Sequence, residues 1–124
     1  IFSARSPTMT AHTRFLIVED EPLIAMMLED YLDILGKRVV GVADSVSTAL
    51  PLVAEGGIDA AIVDVNLTGG EKCWPVADAL AAAGIPFMVA TGGGDDMIAE
   101  GHKHRPVLAK PFTMDAIEQA LDRL

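Results

Sequence analysis

The sequence predicts a single α/β domain, doubly wound around a mainly parallel sheet of five strands. Three observations point there. Five short apolar runs of strand length recur along the chain, segments with helical periodicity separate most of them, and the best candidates for chemistry each follow one of the runs. Strands that alternate with helices favour a parallel sheet covered on both faces, and right-handed crossovers bring all strand C-termini to one edge. The pair Glu19-Asp20, then Asp64, Thr91 and Lys110, are expected to meet at that edge.

Residues 14–18 (RFLIV) form the first apolar run, and the period then changes. From 22 to 35 the apolar residues Ile24, Met27, Leu28, Tyr31 and Leu35 follow helical spacing, with Pro22 tolerated in a first turn and Gly36 at the end. Residues 39–43 read as a second strand. Ser45 or Ser47 then caps a helix whose inner face carries Val46, Ala49, Leu50 and Val53. A third strand spans 60–63, with Asp64 immediately after it, and a third helix is expected over 71–83, where an alanine-rich end meets Gly84. Strand four covers 86–90 and a short strand five covers 107–109. Thr113 caps a last helix with Met114, Ile117, Leu121 and Leu124 on one side. Between strands four and five a further helix is expected to be short or mobile, because only residues 95–100 suit one and Gly92, Gly93 and Gly94 precede them.

Composition narrows the function. A chain of 124 residues fits one domain, leaving no room for a separate catalytic or DNA-binding unit. Its 18 acidic against 9 basic residues argue against unspecific binding to nucleic acid or anionic lipid. The single cysteine, Cys73, forms no internal bridge, so a reducing, cytoplasmic setting is the simpler expectation. No run approaches the ~20 apolar residues of a membrane span. Residues 1–13 read as a disordered leader or a remnant of cloning ahead of a domain at 14–124, with Met9 a candidate native start.

Carboxylates gathered at one sheet edge repel one another and call for a hard cation, and oxygen ligands suit Mg2+. Glu19, Asp20 and Asp64 are the candidates, and the backbone carbonyl of Asn66, two residues past Asp64, adds another oxygen. The Lys110 ammonium and the Thr91 hydroxyl are suited to oxygens carried by a modified Asp64. Taken singly, each of these residues also fits a solvated strand end. Other signals are weaker: the triple glycine lacks the GK[ST] of a P-loop, and His102 and His104 flank Lys103 in a segment expected to be an exposed loop. Trp74 reads as a cap on the core or an exposed contact, and Cys73 has no evident base, which disfavours redox chemistry.

The stretches FLIVEDE at 15–21, AIVDVNL at 61–67, FMVAT at 87–91 and LAKPF at 108–112 together resemble the receiver domain of two-component response regulators. The resemblance implies a flavodoxin-like sheet of order 2-1-3-4-5. It makes Asp64 the phosphoacceptor, gives Glu19, Asp20, Asp64 and the Asn66 carbonyl to Mg2+, and sets Thr91 and Lys110 against the phosphoryl group. A sensor histidine kinase or histidine phosphotransfer protein is then the donor, with a downstream protein, not nucleic acid or membrane, as the target. The expected role is a switch that catalyses its own phosphorylation and dephosphorylation, working by protein contact or as a phosphate sink or relay. Receivers often carry an aromatic three residues before the lysine, whereas this chain has Val107. With PFMVATGGG at 86–94 it resembles the single-domain subgroup named for a Phe-Ala-Thr-Gly signature, Val89 standing at the phenylalanine position. The switch is then expected in Thr91, Gly92, Gly93, Gly94 and Val107. Two other classes compete: a receiver from a longer regulator with a transcriptional or sigma-factor-related output, and a Mg2+-dependent phosphohydrolase, which Asn66 disfavours because an acid/base aspartate is usual there.

Overall fold

The computed structural model describes residues 13–92 and 98–124, so residues 1–12 of the expected leader, and Gly93 and Gly94 of the expected switch, lie outside the described residues. Five strands alternate with helices: β1 (Arg14–Val18), α1 (Pro22–Ile34), β2 (Arg38–Ala43), α2 (Val46–Glu55), β3 (Ala60–Asp64), α3 (Trp74–Ala82), β4 (Phe87–Thr91), β5 (Val107–Ala109) and α4 (Met114–Asp122). Single 3-10 turns stand at Thr68–Gly70 and Glu100–His102. The strand order is β2-β1-β3-β4-β5 and every neighbouring pair is parallel, as expected for the flavodoxin-like class.

The strands read as unbroken apolar runs because both faces of the sheet are covered. Alternation splits β1 between two cores. Phe15 and Ile17 pack with Ala25, Leu28 and Leu32 of α1 and Ile117 and Ala120 of α4. Leu16 and Val18 pack on the opposite face with Ala49 and Val53 of α2 and Val76, Ala77 and Leu80 of α3. Each such large side chain stabilises the fold by roughly 1.5–3 kcal/mol on full burial. Ser45 caps α2, accepting from the Thr48 N–H at 3.2 Å while the Thr48 hydroxyl accepts from Ser45 N at 3.1 Å. Thr113 caps α4 through the Ala116 N–H at 3.1 Å. Gly36 closes α1 with a φ of 80°, a conformation that favours glycine.

Two local differences matter for the site. The third helix begins at Trp74 and not at residue 71, because the chain before it is drawn into other bonds. Lys72 pairs with Asn66 in an antiparallel bridge, and the Glu71 carboxylate accepts from the Val46 N–H of α2 at 2.7 Å. Asp64 and Thr91 are also the last residues of β3 and β4, so both are fixed in the sheet. Among the described residues no helix is long and apolar enough to cross a membrane.

Candidate functional site

The strand order reverses direction at β1, whose neighbours are β2 on one side and β3 on the other. In open parallel sheets the crevice at such a switch point, outside the strand C-termini, is where ligands bind. Glu19 continues β1 there, its N–H donating to Ala43 O at 2.8 Å, and its Oε2 turns back to accept from Glu21 N at 3.0 Å. Asp64 ends the adjacent β3, and its Oδ1 accepts from Asn66 N at 3.1 Å. Both carboxylates are only 3% exposed.

Lys110 closes the constellation from the far edge of the sheet. Its N–H donates to Thr91 O at 2.9 Å, which holds the chain beside β4, and the following Lys110–Pro111 peptide is cis. Its Nζ donates to Asp64 Oδ2 at 2.6 Å and lies 3.2 Å from Glu19 Oε1 and 4.0 Å from Glu21 Oε1. Thr91, buried between these strands, ends β4. The structure thus brings Glu19, Asp20, Asp64 and Lys110 to one place, with Thr91 and Asn66 at its margin. Gly92 follows Thr91 at the surface. Val107 stands at the other end of β5 from Lys110, beside Val89 in the ladder, and is 44% exposed.

The electrostatics follow from burial. Desolvation, reinforced by the Asp64 carboxylate, pushes the Glu19 carboxyl up to about 7, although the Glu21 N–H and Lys110 pull the other way. The 3.2 Å Lys110 contact is therefore too weak to offset burial beside a second carboxylate. Burial draws the Lys110 ammonium down, but its bonds and charges with Asp64 and Glu19 outweigh this and leave it raised. Burial also lifts the Cys73 thiol to about 12, far from any reactive thiolate.

The residues fit a divalent cation. Carboxylate oxygens of Glu19, Asp20 and Glu21 lie within 4.8 Å of one another, and Glu19 Oε1 is buried without an aligned hydrogen bond. A hard cation would satisfy that oxygen and favour the ionised form of all three groups. Glu21 belongs to this acidic group but was not among the expected ligands, while Asp64 meets Glu19 across Lys110. Its adjacency to Glu19 and Asp20 was the available signal.

Lys72 is a second unforeseen neighbour. Its Nζ donates to Asn66 Oδ1 across the turn formed by residues 68–70. The signal was the glycine pair Gly69-Gly70, at φ 73° and 80°, which folds the chain back toward β3. The expectation of an exposed loop fails at His102, which is 5% exposed. Its ring stacks on Trp74 with centroids 5.8 Å apart, tilts against Phe87 at 5.5 Å, and places Nε2 2.8 Å from Asp78 Oδ1. Arg105 lies over the Phe87 ring at 4.4 Å. The polar sequence around His102 hid these partners because they come from α3 and β4.

The sequence pattern of the response regulator receiver domain matches residues 15–122. The phyllosphere-induced regulator PhyR of Methylorubrum extorquens is 35% identical over 104 residues, which cover 81% of this chain and 39% of PhyR. The chain therefore spans about two-fifths of that curated relative. The solution structure of SdrG from Sphingomonas melonis Fr1 is 63% identical, with a TM-score of 0.82 over 89% of this chain and 93% of SdrG. The anti-anti-sigma factor PhyR from Bartonella quintana is 28% identical, with a TM-score of 0.74 over 95% of this chain and 51% of that one.

Proposed function

The chain belongs to the response regulator receiver domain family, and on that premise we propose that it takes a phosphoryl group onto Asp64 from a histidine kinase or a histidine phosphotransfer protein. Domains of this kind act as signalling switches that catalyse their own phosphorylation and dephosphorylation, not as turnover enzymes. The observation that carries the reading is the Lys110 ammonium 2.6 Å from the buried Asp64 carboxylate, at the switch point of the sheet.

The chemistry follows from those positions. An Asp64 oxygen attacks phosphorus in line, the phosphorus–nitrogen bond of the donor phosphohistidine breaks, and the electron pair leaves with the imidazole. Lys110 neutralises charge on a phosphoryl oxygen, and the Thr91 hydroxyl donates to another. Glu19, Asp20, Asp64 and the Asn66 carbonyl would hold Mg2+, with Glu21 beside them, and the ion supplies positive charge against the phosphoryl oxygens. Water attack on the acyl phosphate restores the Asp64 carboxylate and releases phosphate.

The output reading with more support is a receiver that works within a longer, PhyR-like regulator whose output bears on sigma-factor control. The two PhyR proteins, of which this chain covers 39% and 51%, support it. A second reading, a receiver acting without an output domain as a contact switch, phosphate sink or relay, draws support from the 93% coverage of SdrG. Val89-Ala90-Thr91-Gly92 and the absence of an aromatic at Val107 support the Phe-Ala-Thr-Gly subgroup, with the switch in the segment after Thr91; a cytoplasmic setting agrees with the lack, among the described residues, of a helix long and apolar enough to cross a membrane. The native gene beyond both ends of this chain separates the two: further coding for an output domain supports the first, and stop and start signals at the ends support the second.

Phosphotransfer from candidate histidine kinases to the wild type and to Asp64→Asn, with Mg2+ present or chelated, tests the site. Labelling of the wild type alone, and only with Mg2+, is expected. Equal labelling of Asp64→Asn overturns the assignment.

A further inference from the structure

The hairpin that follows Asp64 is tied to a neighbouring helix by a carboxylate that the site itself does not use. Leu67 N donates to Glu71 O at 2.8 Å and Cys73 N to Val65 O at 3.0 Å, so residues 65–67 and 71–73 run antiparallel around the turn at Thr68–Gly70. Burial holds the inner arm, since Val65 and Leu67 belong to the core on the α2 and α3 side of the sheet. In the outer arm Cys73 is buried too, but Glu71 and Lys72 lie exposed. Asn66 stands opposite Lys72, between the two arms' anchors, and its N–H is held by Asp64 Oδ1.

Two bonds fasten the exposed part of the hairpin to the corner between β2 and α2. The Thr68 hydroxyl donates to Asp44 O at 2.9 Å, and Glu71 Oε1 accepts from Val46 N at 2.7 Å. Val46 is the first residue of α2, where Ser45 and Thr48 form a capping box. That box engages Ser45 N and Thr48 N and leaves the Val46 N–H to Glu71. The first N–H groups of a helix have no partner within it, and its dipole favours a negative charge there. A short bond from such a donor to a carboxylate belongs to the stronger, charge-assisted kind.

We propose that Glu71 is a positioning residue for the Mg2+ site: by clamping the hairpin to the first turn of α2, it holds the backbone from which the Asn66 carbonyl is offered to the ion. This rests on the Mg2+ reading above and gives Glu71 no place among the ligands. Groups that orient metal ligands from behind change affinity by about ten-fold or more, and Glu71 acts one step further out, so about five-fold is expected. Loss of a carboxylate also removes a negative charge that attracts the cation. Glutamine separates the two effects, because it keeps an oxygen for the Val46 N–H and drops the charge.

The test titrates the unphosphorylated full chain with Mg2+ alone, read from backbone amide shifts, in the wild type, Glu71→Gln and Glu71→Ala, and in each combined with Val46→Pro. Proline suits the first helical position, and Ser45 before it is already extended at φ −153° and ψ 168°, so this change removes the donor and keeps the helix start. The expected result is affinity about five-fold weaker in Glu71→Ala and little changed in Glu71→Gln, with no further loss from Glu71→Ala when Val46→Pro is present. Amide exchange at Leu67 and Cys73 should quicken in Glu71→Ala. Wild-type affinity in Glu71→Ala, equal losses in Glu71→Gln and Glu71→Ala, a loss that persists beside Val46→Pro, or unchanged exchange each overturn the proposal. The two kinds of failure are distinct: a wild type that takes up no Mg2+ overturns the metal reading and the proposal with it, whereas wild-type binding with an unaltered Glu71→Ala overturns the proposal alone.

Discussion

Replacing Glu19 with glutamine should raise stability near neutral pH and remove a pH dependence. In the fold the Glu19 carboxyl titrates at about 7, against 4.5 for an ordinary glutamate, mainly because it is buried. In the unfolded chain it loses its proton near 4.5; in the folded chain it holds that proton to about 7. Between those values the unfolded state binds fewer protons, so stability falls as pH rises. At about 1.4 kcal/mol for each tenfold change in proton affinity, the loss approaches about 3 kcal/mol above pH 7 and vanishes below pH 4.5. Glu19 is 3% exposed, so solvent screens this little. Urea unfolding of wild type and Glu19→Gln from pH 4.5 to 8, in chelator, reads the difference directly. The variant should gain on the wild type progressively across that range, by up to about 3 kcal/mol. Added Mg2+ should favour the ionised carboxylate and stabilise the wild type more at pH 7.5 than at pH 5.5, an increment weakened in the variant. A difference between the two proteins that stays flat with pH would refute the reasoning.

Four further outcomes are expected. Lys110→Ala should still accept some phosphate on Asp64 but transmit it poorly, so normal partner binding after phosphorylation would contradict the role given to the ammonium. Phe87→Ala, which empties a fully buried site between His102 and Arg105, should cost about 3–5 kcal/mol in urea unfolding, and Thr113→Ala about 1 kcal/mol through loss of the α4 cap. Amide exchange at Gly92 and across residues 98–105 should change when Mg2+ and a phosphoryl mimic such as beryllofluoride are added; unchanged exchange removes the switch from that segment.

Most of the sheet was legible because its strands are buried on both faces and therefore appear as apolar runs whatever their neighbours. The site was legible for a related reason: Glu19, Asp64, Thr91 and Lys110 interrupt those runs at their ends, where a side chain leaves the core. The order of the strands left no mark of its own in the runs and came from resemblance. The start of α3 was misread because residues 71–73 have helix-compatible side chains, and only the backbone bonds to residues 65–67 show that they belong to a hairpin. His102 was misread because burial depends on Trp74 and Phe87, which are remote in sequence. Glu21 was not given a ligand role and Lys72 was given no role, and only the folded geometry gives each a defined neighbour.

The stack of Trp74 on His102 also equips the molecule with an optical signal. Trp74 is the only tryptophan in the chain, and its indole lies nearly parallel to the imidazole, 9° between planes, while His102 belongs to the segment that joins β4 to β5. Indole emission responds to the ring stacked on it and changes when that ring moves away. Fluorescence from this one residue therefore reports how His102 sits against the start of α3, in unlabelled protein.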